Sequence, residues 1–333
     1  MKEMPLNNPK EISSDGSFKR QTNRFTTPFG NQEGCLPIEP GRYRLLSSPA
    51  CPWAHRAVIV RKILGLDQAI SLGTASPIRP QIDRVDWEFS LDEQHLDPVL
   101  KVRYISELYL NAEASYTGRP TVPAMVDVTT KKVVNNDYFT LTNSFETVWA
   151  PYHKEGAPNL YPDHLRKDID ELNDILFHDV NNGVYKCGFA HSKHTYESAF
   201  DTLFARIEQL EQRLEQKRFL FGDYITDSDI RLYTTLVRFD AAYYTAFNTN
   251  KHLIREYPNL WGYVRDLYQS TGFSDTTDFE AIKKHYHLSI TINPVQSKPS
   301  ILPKGPDLTG WDQAHGRESL SQSEKKFLFD KES

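Results

Sequence analysis

Ser47-Ser48-Pro49-Ala50-Cys51-Pro52-Trp53-Ala54-His55-Arg56 lies between two runs of opposite character. Before it, Arg42-Tyr43-Arg44-Leu45-Leu46 is a short stretch of strand-forming residues that ends in turn formers. After it, Ala57-Val58-Ile59-Val60-Arg61-Lys62-Ile63-Leu64 is an amphipathic run stopped by Gly65. The pattern predicts a strand, a tight turn and a helix, with Cys51 at the seam. Pro52 suits the first helical position, where its missing N–H is no loss and its fixed φ matches the helix. A cysteine at a helix N-terminus faces free N–H groups and the positive end of the dipole, so a lowered pKa and partial thiolate character are expected. A buried, inert thiol is the plainer alternative; His55, Arg56 and the strand-to-helix junction weigh against it. Ala54 stands where a dithiol oxidoreductase carries its resolving cysteine. Any mixed disulfide on Cys51 must then be resolved by an outside thiol or by another cysteine.

The 333 residues are 12% aromatic and 25% charged, enough for a sizeable core and two domains. A net charge of -5 and the absence of a basic stripe argue against a nucleic-acid partner. Cys35, Cys51 and Cys187 are too few and too scattered for a disulfide framework or a cysteine metal site, which points to a reducing compartment. Residues 1–18 are polar with no apolar core of a secretory signal, and no apolar run is long enough to span a membrane. A cytoplasmic protein without membrane or metal partners is expected.

Residues 1–40, rich in Asn, Ser, Pro and Gly, are expected to form an N-terminal arm over the first domain, with Phe25 and Phe29 as its apolar points. Within residues 41–150, strands are expected at 43–47, 68–72, 124–128 and 132–135, and helices at 51–64, 98–110 and 137–149. Val122-Pro123, just before a strand, is a suitable place for a cis peptide. Cysteine at the first helix start with Val-Pro before the third strand is the thioredoxin-like arrangement. After a Pro-, Gly- and His-rich linker at 151–162 the period becomes 3.6. Leu165, Ile169, Leu172, Leu176 and Val180 form one stripe, and Tyr196, Phe200, Leu203, Ile207, Leu210 and Leu214 another. Thr226 reads as an N-cap, and Tyr257-Pro258 opens a further helix. Residues 163–288 are expected to be all-helical, and 289–333 a little-ordered C-terminal extension.

A thioredoxin-like domain followed by a helical domain resembles the glutathione-transferase fold. Cys51-Pro52-Trp53-Ala54-His55-Arg56, Asn181-Asn182-Gly183-Val184-Tyr185-Lys186, Leu236-Val237-Arg238-Phe239-Asp240 and Lys283-Lys284-His285-Tyr286 resemble, in order, the Xi class, the glutathionyl-hydroquinone reductases. The resemblance implies glutathione as co-substrate, glutathionyl-hydroquinones as substrates and a homodimer. It implies Cys51 as the nucleophile, attacking the sulfur of the conjugate. Tyr185 and Tyr286 match tyrosines lining the hydroquinone pocket, although for an isolated tyrosine core packing is the commoner role. Trp87, Arg119 and Val122 match glutathione contacts. Asp137 and Tyr138 stand where the family shows Glu-Ser at the glutamyl end of glutathione, and Asp86 replaces a glycine before Trp87.

That departure leaves two other functions to weigh: a thiol transferase or deglutathionylating enzyme using another small thiol, and a non-catalytic binding module on the same fold. Cys187 reads as a small buried filler in preference to a resolving thiol. His285 and His287 lack a third ligand and read as a solvated helix end.

Overall fold

The structure, a computed structural model, describes residues 11–79, 85–289 and 301–329. The first ten residues of the expected arm, and 290–300 and 330–333 of the expected extension, lie outside the described residues. The chain forms two compact units. One holds Glu11, Arg20–Lys154 and, of the later chain, 278–289 and 301–302. The other holds Ile12–Lys19, Glu155–Thr277 and 303–329.

In the first unit the strands β1 (Tyr43–Ser47), β2 (Ile70–Thr74), β3 (Ala124–Asp127) and β4 (Lys132–Asn135) form one sheet in the order β2-β1-β3-β4. β1 and β2 run parallel, joined through helix α1 (Pro52–Leu64), because parallel neighbours need a crossover. β1 pairs antiparallel with β3, Leu46 opposite Ala124, and β3 with β4. Every residue of β1 is buried, Arg44 included; its guanidinium lies 2.9 Å from Asp97, whose other oxygen accepts the N–H groups of Val99 and Leu100. Gly65 ends α1 at φ +70°, the left-handed conformation that suits glycine at a helix stop.

Three elements start two or more residues later than the sequence expectation. β2 starts at Ile70, and helix α2 spans Ile105–Ala112 where 98–110 is expected. The bonds to Asp97 and a left-handed Lys101 (φ +57°) hold the residues before it in turns. Helix α3 (Leu141–Glu146) starts four residues late, because Asp137 accepts from the Phe139 N–H and the Thr140 hydroxyl and so closes a local turn.

The arm pairs beside β4. Asn136 exchanges hydrogen bonds with the backbone of Phe25, and the Asn135 amide donates to the Thr27 carbonyl. Phe29 is buried edge-on against Tyr43 and Trp149.

The second unit is helical: α4 (Arg166–Leu176), α5 (Gly183–Gly188), α6 (Lys193–Arg213), α7 (Asp227–Arg238), the short α8 (Tyr244–Ala246) and α9 (Pro258–Tyr268). Wider π-type turns at Phe177–Asn181 and Phe239–Tyr243 extend α4 and link α7 to α8. Thr226 is the N-cap of α7 as expected, and Asp229 accepts its N–H and hydroxyl as well as the Leu220 N–H and the Tyr263 hydroxyl. Helix α10 (Phe279–Leu288), read from sequence as part of the helical domain, clusters with the first unit.

Residues 303–329 are packed into the second unit. Arg317 donates to the carbonyls of Leu214, Lys217, Arg218 and Asn259, and Trp311 lies buried edge-on to Trp261. Asp266, fully buried, is 2.8 Å from both Arg218 and Lys326 and 3.4 Å from His315. Isolated side chains finding buried partners order a stretch that has no hydrophobic period.

Burial alone would raise the Asp266 carboxyl, but Arg218 and Lys326 outweigh it and hold the group below the usual range. Burial depresses His315, with Asp266 opposing. Both groups have folded pKa values below their unfolded ones, so docking contributes fully above the ordinary histidine pKa and is lost as pH falls through both. Proteolytic cleavage within 303–329 should therefore accelerate on going from neutral pH to ~4, before far-UV circular dichroism changes; a pH-independent rate would contradict this.

Candidate active site

Cys51 is the residue before α1, extended at φ -78° and ψ 118°. Its carbonyl accepts the His55 N–H at 3.0 Å, which opens the helix, and its N–H donates to Ser48 at 3.0 Å. The residue is 6% exposed, and its Sγ lies 3.4 Å from the Val122 carbonyl, a distance at which the thiol donates. The β1–β3 register explains this meeting. With Leu46 opposite Ala124, the residues leading into β3 arrive beside the end of β1. The Val122–Pro123 peptide is cis, at the position the sequence singled out. No backbone partner for the Val122 N–H occurs among the described residues.

Arg119, Asp137 and Tyr138 flank this junction, and the arm reaches each part of it. The Arg119 guanidinium is 2.9 Å from Glu11, while the Gln21 amide accepts from the Arg119 N–H and donates to its carbonyl. Asn23 donates to Asp137 at 3.0 Å. The Tyr138 ring packs on Trp53, 4.9 Å between centroids, and Arg20 and Arg56 lie over the same indole. Burial raises the Tyr138 phenol, with Arg20 and Arg56 opposing. Tyr109 donates to the Thr121 carbonyl and receives the Asn136 amide, which braces the segment before Val122. Glu11, Gln21 and Asn23 carried no sequence signal as site residues, since an irregular arm has no period to read.

Trp87 is buried, with Arg79 over one face and His285 of α10 stacked at 5.2 Å and 12°. Its Nε1–H is buried without a hydrogen-bond partner among the described residues. His285 is 4% exposed, 2.6 Å from the Pro77 carbonyl through Nδ1, and edge-on to Tyr286. The expectation of a solvated histidine end is therefore corrected for His285: α10 turns this side chain inward against the loop that carries Trp87. Among the described residues no group of three or more His, Cys, Asp or Glu could hold a metal ion.

Asp86, which replaces the family's glycine, is fully buried; one oxygen accepts the N–H groups of Trp87 at 2.7 Å and Ser106 at 3.2 Å. It ties the Trp87 loop to the start of α2. Tyr185 belongs to the second unit, 7% exposed, among Phe189, Tyr243 and Phe247. Cys187 is buried in the same unit, and burial pushes its thiol up to about 12. This suits a filler and not a resolving thiolate.

Two outcomes follow from these surroundings. In the folded protein at neutral pH, iodoacetamide should leave Cys187 unmodified, read by peptide mass spectrometry; modification without denaturant would contradict its burial. Asp86→Ala should lower stability by about 1–2 kcal/mol, the usual cost of losing a helix-start acceptor, measured by urea unfolding.

A family model, the glutathione S-transferase C-terminal domain, matches residues 193–266. The chain is 39% identical to the glutathionyl-hydroquinone reductase YqjG of Escherichia coli strain K12, over 92% of this chain and 94% of that protein. A glutathione-bound structure of that relative superposes with a TM-score of 0.78 at 38% identity, covering 91% of this chain and 98% of the other. A Xi-class transferase from Natrialba magadii gives a TM-score of 0.82 at 35% identity, over 90% and 89% of the two chains. At such identity over nearly the whole length, shared by both units, the chain belongs to the Xi-class glutathione transferases, the family of the glutathionyl-hydroquinone reductases.

Proposed function

We propose that this chain reduces glutathionyl-hydroquinones to hydroquinones with glutathione as co-substrate, through a mixed disulfide on Cys51. The observation that carries the reading is the position of Cys51 Sγ at the α1 start, 3.4 Å from the carbonyl preceding the cis-proline, with alanine at position 54. In the first step the Cys51 thiolate attacks the sulfur of the conjugate. A sulfur–sulfur bond forms, the carbon–sulfur bond breaks, and the ring carbon takes the electron pair and then a proton. In the second step a glutathione thiolate attacks the mixed disulfide, releasing oxidised glutathione and the Cys51 thiolate. A tyrosine or serine at this place can only stabilise a bound thiolate for conjugation; a cysteine can become the disulfide partner.

The Val122 N–H and carbonyl form a short edge that suits the cysteinyl unit of a peptide, paired as an added strand. Arg119 suits a carboxylate, and Asp137 with Tyr138 the glutamyl end. The buried Trp87 N–H, without an acceptor among the described residues, is a donor suited to a ligand oxygen. Tyr286, and Tyr185 by the resemblance, supply phenols for the hydroquinone, to stack on it and to donate the proton. Absence of any helix long and apolar enough to cross a membrane among the described residues is compatible with a cytoplasmic setting, and a homodimer is the assembly the family resemblance supports.

Cys51→Ala should abolish hydroquinone release from a glutathionyl-menadiol conjugate while leaving the circular dichroism spectrum unchanged. Mass spectrometry of the wild type held without free thiol should find glutathione on Cys51. Full turnover in the variant would sink the assignment. Faster turnover with cysteine or another small thiol than with glutathione would shift the reading to a thiol transferase of different co-substrate.

A further inference from the structure

The N-terminal arm supplies Arg119 and Asp137 with partners of the chemistry that the ligand's own end would bring. The Glu11 carboxylate lies 2.9 Å from the Arg119 guanidinium, and the Asn23 amide donates to Asp137 at 3.0 Å. An amino-acid end of a γ-glutamyl thiol offers the same pair, one carboxylate and one nitrogen donor. Neither contact is an open surface bridge: the Arg119 and Glu11 side chains are 15% and 21% exposed. Glu11 also accepts the Gln21 N–H at 3.0 Å, and the Gln21 amide clamps both backbone groups of Arg119. Burial would raise the Glu11 carboxyl, but Arg119 and the Gln21 N–H outweigh it, so the group is held ionised. Downstream, Phe25 and Thr27 are tied to Asn136 and Asn135 beside β4. That anchor stays in place if only the chain before Phe25 moves.

We infer that Glu11 and Asn23 are an internal stand-in for the amino-acid end of the thiol co-substrate, and that the arm competes with it for Arg119 and Asp137. The inference rests on the glutathione-binding reading of those two residues. Binding of an anionic thiol then requires the Glu11–Arg119 pair to open. The competition sets the thiol concentration at which the enzyme works, with no change to the chemistry at Cys51. Removing the Glu11 charge frees the guanidinium and removes a like charge from the ligand's path.

Titration calorimetry with glutathione on the full chain tests this. Glu11→Gln should bind glutathione roughly three- to tenfold tighter than the wild type, the scale expected for loss of one partly exposed competing ion pair. Asn23→Ala should shift affinity in the same direction by less. The gain from Glu11→Gln should shrink in high salt, as screening weakens the pair it removes. In turnover the effect should appear in the KM for glutathione, with kcat unchanged. In the wild type, glutathione should speed tryptic cleavage after Arg20, because the arm is displaced. Equal or weaker binding by Glu11→Gln, or unchanged or slower cleavage, overturns the inference while the wild type still binds glutathione. A wild type that binds no glutathione overturns the inference together with the reading beneath it.

Discussion

Leu46 pairs with Ala124 in the antiparallel ladder between β1 and β3, and this one register delivers Val122 to the place where β1 gives way to α1. The helix start holds Cys51 on one side and the cis Val122–Pro123 peptide presents its carbonyl on the other. A slip of one residue in that ladder would turn every side chain of β3 to the opposite face and carry Val122 away from the sulfur. The sheet thus acts as a positioning device. Its central strand is buried throughout, even at Arg44, whose charge is met by Asp97. Such a pair adds little net stability over an apolar one, but leaving either partner alone in the interior is costly, so β1 and the loop after β2 are bound to one arrangement.

Around this junction the polar groups do structural duty. Asp86 is the clearest case. Read as a departure from a glycine, it is a fully buried acceptor that joins the Trp87 loop to α2. The stack of Trp87 on His285 then ties the same loop to α10, a helix near the far end of the chain. The indole N–H beneath that stack stays without an acceptor among the described residues, which is the kind of buried vacancy a folded protein rarely keeps without use.

The N-terminal arm changes what the family resemblance means for this chain. Arg119 and Asp137, which the resemblance puts forward for glutathione, each have an arm residue on them. On the proposed reading, affinity for a small thiol is a difference between two sets of bonds, one to the ligand and one to the chain itself. These arm contacts fall on Arg119 and Asp137 and not on Cys51, whose sulfur faces the Val122 carbonyl.

Much of this was legible in the residues. Strong local signals marked the strand–turn–helix around Cys51, the N-cap at Thr226, and the long stripe of α6, because each is set by neighbours within a turn or two of the chain. The ordered motifs from Cys51 to Tyr286 were enough to suggest the family that whole-chain similarity bears out. What the residues could not show was pairing across distance. His285 looked like a solvated helix end until α10 was seen turned against Trp87, and 303–329 looked loose because Trp311, Arg317 and Lys326 find their partners some fifty to a hundred residues away, with no period between them. Local propensity determined the elements and the place of Cys51 at a helix start. Only the tertiary structure decided which carbonyl faces that sulfur and which carboxylate holds Arg119, since those contacts depend on strand register and on the path of an irregular arm.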